Sequence, residues 1–589
     1  MWKQLNISQE DISDDIESYK FLGSNMTQKK NCKYLNNPYV VVGLFLIAVI
    51  FLIVKAHFIL SPKDEWFYLA TPYRMIKGDI MFWDESILIV LSAPLMVPFQ
   101  KLFLLFNGNN DGILLAFHYF YIFVTLLISV FIYKRLKRIS EYSLIVALIF
   151  FLYNPSNHLL FSYVSLGYIA GFIMIVLLVT YENKRAYYFS GICYAIAAVC
   201  QPILVPLFLV VTLGIVIIKR EIIKKYCYFL LGTITLAIPY IVYILFVSKI
   251  NRVIRMLPIC SGTYSWGHAL PKNIVGIFKY YCWALFPERS ISIGSFNIHS
   301  GVIAGTIWLA IIVSFILFLA SSIRHKAVSK KVILFTALCA TMFDIVCMIA
   351  IMRNTINVCL LPWIFVGIML YKTSSENIKK LFKVAAIWSS LHTVSFLTSN
   401  LGFHMFALGC SSVCMVSILM LVEHLKTKCN KGERYAFGTM VTIIVITLLV
   451  TGSMYTVFTI SHNPKKMNVG PAKDIYVDSN TYNTYKTTYE DMQEVNKLNG
   501  KVLLFTENPY VSLISKNKIG QFSTIFEDTD KYSVQLLKDF YRVNTKANPK
   551  YAYIPEQSLK SITLNYIIRE LNFNKDKTIR IKNGYILKK

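Results

Sequence analysis

The chain has 589 residues, of which 55% are hydrophobic and only 16% charged, and long apolar runs recur from position 39 to about 458. This excludes a soluble globular protein and sets the expectation of a polytopic α-helical membrane protein in the plasma membrane. The formal net charge of +28 does not point to nucleic acid, because much of it sits in short loops between apolar runs, where it reports orientation and contact with anionic membrane lipid.

A polar, mixed-charge leader, residues 1–38, precedes the first apolar run at about 39–60. It lacks the pattern of a cleavable signal peptide and is expected in the cytoplasm. The second run, about 112–133, ends in Lys134-Arg135-Leu136-Lys137-Arg138, the strongest cytoplasmic anchor in the chain. Further runs lie near 141–154, 164–181, 186–200, 203–218, 226–248, 301–320, 332–352, 356–372, 380–397, 401–422 and 436–458. Alternate loops carry Lys184-Arg185, Lys219-Arg220 with Lys224-Lys225, Arg324 to Lys331, Lys379-Lys380, and Lys426 to Arg434. Placing every cluster inside gives about thirteen spans across 39–458, a cytoplasmic N-terminus and an extracytoplasmic segment 459–589. Ser86–Phe106 is apolar enough to cross, but it contains Pro94, Pro98, Gln100 and Lys101, and a crossing there would put the 134–138 cluster outside. It is therefore expected as a re-entrant or interfacial helix, which makes 61–111 a single outer loop.

That loop opens with Asp64-Glu65. Trp66, Leu69, Tyr73 and Ile76 repeat at i, i+3, i+7 and i+10, the stripe of a short helix on the membrane surface. Asp64 and Tyr68 fall on its other side, one turn apart, and Pro72 is expected to kink or split the segment. Carboxylates at this depth are costly unless they face a wet cavity or a partner, which makes them functional candidates; the competing reading is a solvated acidic pair that helps to set topology. The other outer segments are Asn154–Ser162, with His158 and then Tyr163, a basic stretch from about 249 to 300, and Arg353 at the end of a late span. The basic stretch includes Arg252, Arg255, His268, Lys272, Arg289 and His299. Asp344 and Glu423, near span interiors or inner ends, read as structural partners. The 12 cysteines show no metal-ligand spacing and read as small packing residues. A Cys260–Cys282 disulfide stays open if their shared loop faces an oxidising compartment.

Beyond about 460, His462-Asn463-Pro464 and Gly470-Pro471 mark a linker. Lys501–Thr506 reads as a strand, Ser533–Arg542 as a helix, Tyr551–Ile554 as a strand and Leu559–Leu571 as a helix. Thr578–Leu587 reads as a hairpin turning at Asn583-Gly584. This alternation describes a small extracytoplasmic α/β domain.

An acidic outer loop over a large bundle suits an enzyme whose substrate is a lipid. Sugar transfer from a polyprenyl-phosphate donor needs a base for the acceptor hydroxyl, cations for the departing phosphate and apolar walls for the isoprenoid. Asp64 is the base candidate, while Glu65 either tunes it or binds the sugar. Arg353, Arg289 and Lys272 are the phosphate candidates, arginine being the better clamp because its planar fork binds two oxygens. Tyr68, His158 and Tyr163 are substrate-binding candidates, against the plainer reading of interfacial aromatics and a hydrogen-bonded histidine. Arg353 has the same plainer reading, as a snorkelling helix-end residue.

The order of an apolar span, Asp64-Glu65, Tyr68 and then Gly78-Asp79 resembles the first outer loop of the GT-C glycosyltransferases, which include the protein O-mannosyltransferases and the lipid A aminoarabinose transferases. About thirteen spans with an outward C-terminal domain is similar to the latter, and Gly470-Pro471-Ala472-Lys473-Asp474-Ile475-Tyr476 looks like the entry to the soluble domain in Gram-positive members of the group. The resemblance implies a catalytic-base role for Asp64, the second acidic position for Glu65, a polyprenyl-phosphate sugar donor and an extracytoplasmic acceptor. No cofactor is implied with certainty, and a divalent cation stays open. Two departures stand out. The family's Lys-Pro-Pro element is replaced by Phe82-Trp83-Asp84-Glu85-Ser86, and the acidic residue of its next outer loop is missing near Asn157, His158 and Tyr163. The alternatives are a lipid or sugar transporter, which predicts broken paired helices and related halves not found in the sequence, and a polysaccharide polymerase or ligase using the basic loop 249–300.

Overall fold

The computed structural model describes residues 37–58, 64–85, 88–218, 223–263, 290–293, 296–324, 330–350, 355–397, 403–428, 431–524, 529–560 and 562–589. Each of the thirteen apolar runs contains helix. The first seven give α1 (Pro38–Ala56), α4 (Ile113–Leu136), α5 (Ser143–Leu152), α6 (Tyr163–Thr180), α7 (Lys184–Cys200), α8 (Leu204–Ile218) and α9 (Ile223–Val242). Between the first two of these lie α2 (Asp64–Ile76) and α3 (Val97–Asn107). Among the described residues, eight helices are long and apolar enough to cross a membrane, or nine if the pair Gly438–Gly452 and Met454–Ser461, bent by 48°, forms one span. The chain is thus a helical membrane protein.

Contacts between elements show how the bundle is ordered. Arg135 stacks on the Tyr181 ring at 4.7 Å, Lys225 lies over Tyr187 at 5.9 Å, and Lys380 pairs with Glu182 at 3.3 Å. The basic segments near 134–138, 184–185, 224–225 and 379–380 therefore share one end of the bundle. At the other end, Asn357 accepts from the Ser156 N–H at 2.9 Å and Asn157 donates to the Thr451 carbonyl at 3.3 Å. The acidic loop lies at this second end. In the interior, Asp344 accepts from the Trp363 indole at 3.1 Å, the structural partnership expected of it.

The segment 86–106 does not form a spanning helix. Described from Leu88, it forms a 3-10 turn, Leu88–Leu95, followed by the 11-residue α3. Gln100 of α3 is buried, while Leu102, Leu105 and Phe106 are exposed, the pattern of a helix lying at the interface.

Two expectations for α2 need correction. Pro72 does not split it: Asp64–Ile76 is one helix of 13 residues. Proline removes the N–H that would bond the Tyr68 carbonyl, but packing holds the turn from outside, with Gln100 Nε2 donating to the adjacent Leu69 carbonyl at 3.2 Å. Nor does α2 lie bare on a membrane surface, although Asp64 and Tyr68 stay partly exposed. Trp66, Phe67, Leu69, Ala70, Thr71, Pro72 and Arg74 are all buried, because the C-terminal domain covers the helix.

That domain carries a four-stranded sheet of order β5 (Val502–Leu504), β6 (Tyr551–Pro555), β8 (Gly584–Lys588), β7 (Asn574–Ile581). β5 and β6 run parallel, joined through a helix, Lys531–Val543, whose N-cap Asp530 accepts from the Ser533 N–H; the other pairs are antiparallel. The earlier short strands are β1 (Ser290–Ile293) with β2 (Phe296–His299) and β3 (Lys465–Lys466) with β4 (Tyr476–Val477). The expected helix 559–571 is shorter, Leu564–Glu570, because Thr563 caps it. Ile581 pairs with Gly584, so Lys582-Asn583 make the hairpin turn and Gly584 already belongs to the strand. A 17-residue helix, Ser479–Val495, had no counterpart in the sequence reading. Its Thr-, Tyr- and Asn-rich composition has weak helix propensity; its stability comes from the Asp478 cap and the buried stripe Tyr485, Thr488, Met492, Val495.

The segment from 464 to 477 is not a free linker. Gly112 donates to the Gly470 carbonyl at 3.0 Å, Leu114 to that of Pro471 at 3.2 Å, and Tyr476 to that of His57 at 2.7 Å. Met467, Ala472 and Ile475 join the same hydrophobic core as Phe45, Leu52 and Phe117.

Candidate functional site

The site forms where the end of α1, the first turn of α2 and the loop 153–162 meet. Consecutive residues on a helix point about 100° apart, so Asp64 and Glu65 face different surroundings. Asp64 keeps 38% of its side chain exposed and its Oδ2 lies 3.8 Å from Nε2 of His158. Tyr68, one turn along, sets its ring 6.3 Å from that of His158 and 6.0 Å from that of Tyr163. Four of the candidates, Asp64, Tyr68, His158 and Tyr163, are thus brought together from two segments some ninety residues apart.

Glu65 turns the other way. It is fully buried, with Oε1 3.4 Å from Nε2 of His118. The opposite ring nitrogen of His118 donates to the Ala56 carbonyl at 3.0 Å. Both ring nitrogens of His118 thus face oxygens of the α1 end and of Glu65. Lys55 completes the arrangement: it is 1% exposed, donates to Asn157 Oδ1 at 2.6 Å and feels the Glu65 charge. Glu65 is a member of a buried polar network, and Asp64 is the carboxylate of the pair that stays partly exposed.

Tyr68 also lines a narrow cleft, open to solvent, with Phe67, Thr71, Pro72, Ser92, Ala93, Met96 and Phe161. The walls are largely apolar, and Thr71 and Ser92 supply hydroxyls. The cleft runs from the 3-10 turn to α2, beside the acidic end of the helix.

The C-terminal domain roofs the loop. Trp66 packs against Tyr510 and Tyr485 at 5.6 and 6.5 Å. Arg74 is buried and uses its whole fork: Nε donates to Asp79 at 2.7 Å and Nη1 to Glu85 at 2.5 Å, while Nη2 donates to the carbonyls of Asp84 and Gln521 at 2.8 and 2.7 Å. Burial opposes the Arg74 charge, but Glu85 and Asp79 more than offset it and raise its pKa. Glu85 in turn accepts from Thr524 N–H at 3.0 Å and from Thr524 Oγ1 at 2.5 Å. Gly78-Asp79 and Asp84-Glu85 are thereby tied into the seam between loop and domain.

Lys272, Arg289 and Arg353 lie outside the described residues, as does Cys282 of the candidate disulfide. Of the basic stretch, Arg252 lies over the Trp83 ring at 5.0 Å. Among the described residues, no group of three or more His, Cys, Asp or Glu side chains is placed to hold a metal ion. The sequence reading missed Lys55, His118, Asn157 as a ligand, and Arg74. The signal was present for the first two: Lys55 shares its apolar run with His57 alone among Lys, His and acidic residues, and His118 stands alone in its run. Compared with known protein families the chain matches no family model, and comparison with curated proteins finds no match.

Proposed function

We propose that this protein is a GT-C-type membrane glycosyltransferase that moves a sugar from a polyprenyl-phosphate donor to an extracytoplasmic acceptor, a wall polymer, lipid or protein. Asp64 is the general base that takes the proton of the attacking hydroxyl. The observation that carries this reading is the division of the acidic pair: Glu65 is sealed in a buried network, whereas Asp64 stays 38% exposed and faces His158. His158 is placed to receive the proton or to steady the carboxylate. Tyr68 and Tyr163 offer faces and hydroxyls to a sugar.

In this reading the thirteen helical runs are thirteen spans, and the end of the bundle carrying the basic segments is cytoplasmic. The acidic loop and the C-terminal domain are then extracytoplasmic. Lys272, Arg289 and Arg353 are the phosphate candidates.

The test is sugar transfer in purified membranes supplied with labelled polyprenyl-phosphate hexoses. Asp64→Asn should lower transfer by about 10²- to 10⁴-fold while inserting at native levels. Unchanged transfer in that variant removes Asp64 from the chemistry.

A further inference from the structure

We propose that Lys55 and Asn157 form a positioning pair that holds His158 against Asp64. Its role in turnover rests on the transferase reading; its geometry does not. Asp64 and Glu65 are neighbours on α2, and Asn157 and His158 are neighbours on the 153–162 loop. The upper members of these two pairs face each other at 3.8 Å. The lower members adjoin one buried amine: Lys55 donates to Asn157 at 2.6 Å and lies within electrostatic reach of Glu65. Fixing the lower pair fixes the separation of the upper one.

The loop needs such a clamp. Ser156 and Asn157 both adopt left-handed backbone, with φ of 54° and 65°, a conformation that serine holds only when the surroundings impose it and that asparagine visits more readily. The clamps are Lys55 on Asn157, the Thr451 carbonyl on the Asn157 amide at 3.3 Å, and Asn357 on the Ser156 N–H at 2.9 Å. Packing alone would place an apolar residue at the end of α1. A buried amine is costly there, and the groups it meets, Asn157 by a hydrogen bond and Glu65 through its charge, are the residues next to His158 and Asp64.

The test uses the full-length protein in lipid nanodiscs. Asn157→Gly keeps the left-handed turn, which glycine adopts readily, and deletes the acceptor for Lys55. Lys55→Met alone strands the Glu65 carboxylate and risks misfolding, so the second variant is Lys55→Met/Glu65→Gln, which removes both charges. Two quantities are read: kcat and KM for sugar transfer, and the pH profile of deuterium exchange at the imidazole C2 of His158, followed by mass spectrometry. Loss of the clamp should lower kcat by about 100-fold with KM little changed, and should move the His158 profile in both variants. A wild-type His158 profile in either folded variant overturns the pairing, even if kcat falls. If the wild-type protein itself transfers no sugar, the transferase reading fails, and the His158 profile alone decides the pairing.

Discussion

Arg74 is the single side chain on which the seam between the outer loop and the C-terminal domain most depends, and Arg74→Met tests it. The substitution keeps most of the buried volume and removes the cation. Glu85, fully buried 2.5 Å from the guanidinium, is left with only Thr524 as a polar partner among those described above, and the Gln521 carbonyl loses its donor at 2.7 Å. Removing one member of a buried ion pair costs about 3–5 kcal/mol, which converts to roughly two to three and a half decades in the equilibrium between docked and undocked domain. The loss should appear as faster amide exchange at 502–524 and easier proteolysis near 462–470, with the distal strands β7 and β8 protected as before. Arg74→Met/Glu85→Leu removes the stranded carboxylate and should recover part of the docking. Native exchange at 502–524 in Arg74→Met would refute the reasoning.

Two further outcomes follow from the geometry. Lys77 donates to the carbonyls of Ser515, at 2.9 Å, and Asn517. Burial pulls its pKa down to about 8, Asp79 opposing and Arg74 and Lys518 adding to the fall. The unfolded lysine, at about 10.4, binds more protons across the window from 8 to 10.4. Stability should therefore rise with pH through it, and Lys77→Met should flatten that slope in Tm measured against pH. In the bundle, a Cβ added at Gly191 meets the Phe229 carbonyl at 2.0 Å, and one at Gly232 meets that of Tyr188 at 1.9 Å. Backbone cannot yield as a flexible side chain can. Gly232→Val should part α7 from α9 and cost upwards of about 1–3 kcal/mol, whereas Gly43→Val, with nothing within 4 Å, should leave the detergent melting temperature near native.

The sequence alone determined the class of molecule and the composition of its acidic end. Apolar runs are long-range averages over many side chains, and an apolar solvent favours helix; each of the thirteen contains helix among the described residues, and eight or nine helices are long and apolar enough to cross. Asp64, Tyr68, His158 and Tyr163 were legible because polar and aromatic residues at span ends are few. The β5–helix–β6 unit was legible from alternation.

Only the tertiary structure decided what each residue faces. The sequence puts Asp64 and Glu65 side by side with the same chemistry. Their difference arises because the second lies against α1 and α4, where Lys55 and His118 wait, and the first against the 153–162 loop. The helix Ser479–Val495, the intact turn at Pro72 and the pinned segment 464–477 were likewise hidden. Each is stabilised by partners tens to hundreds of residues away, and local propensity carries no information about contacts made across that distance.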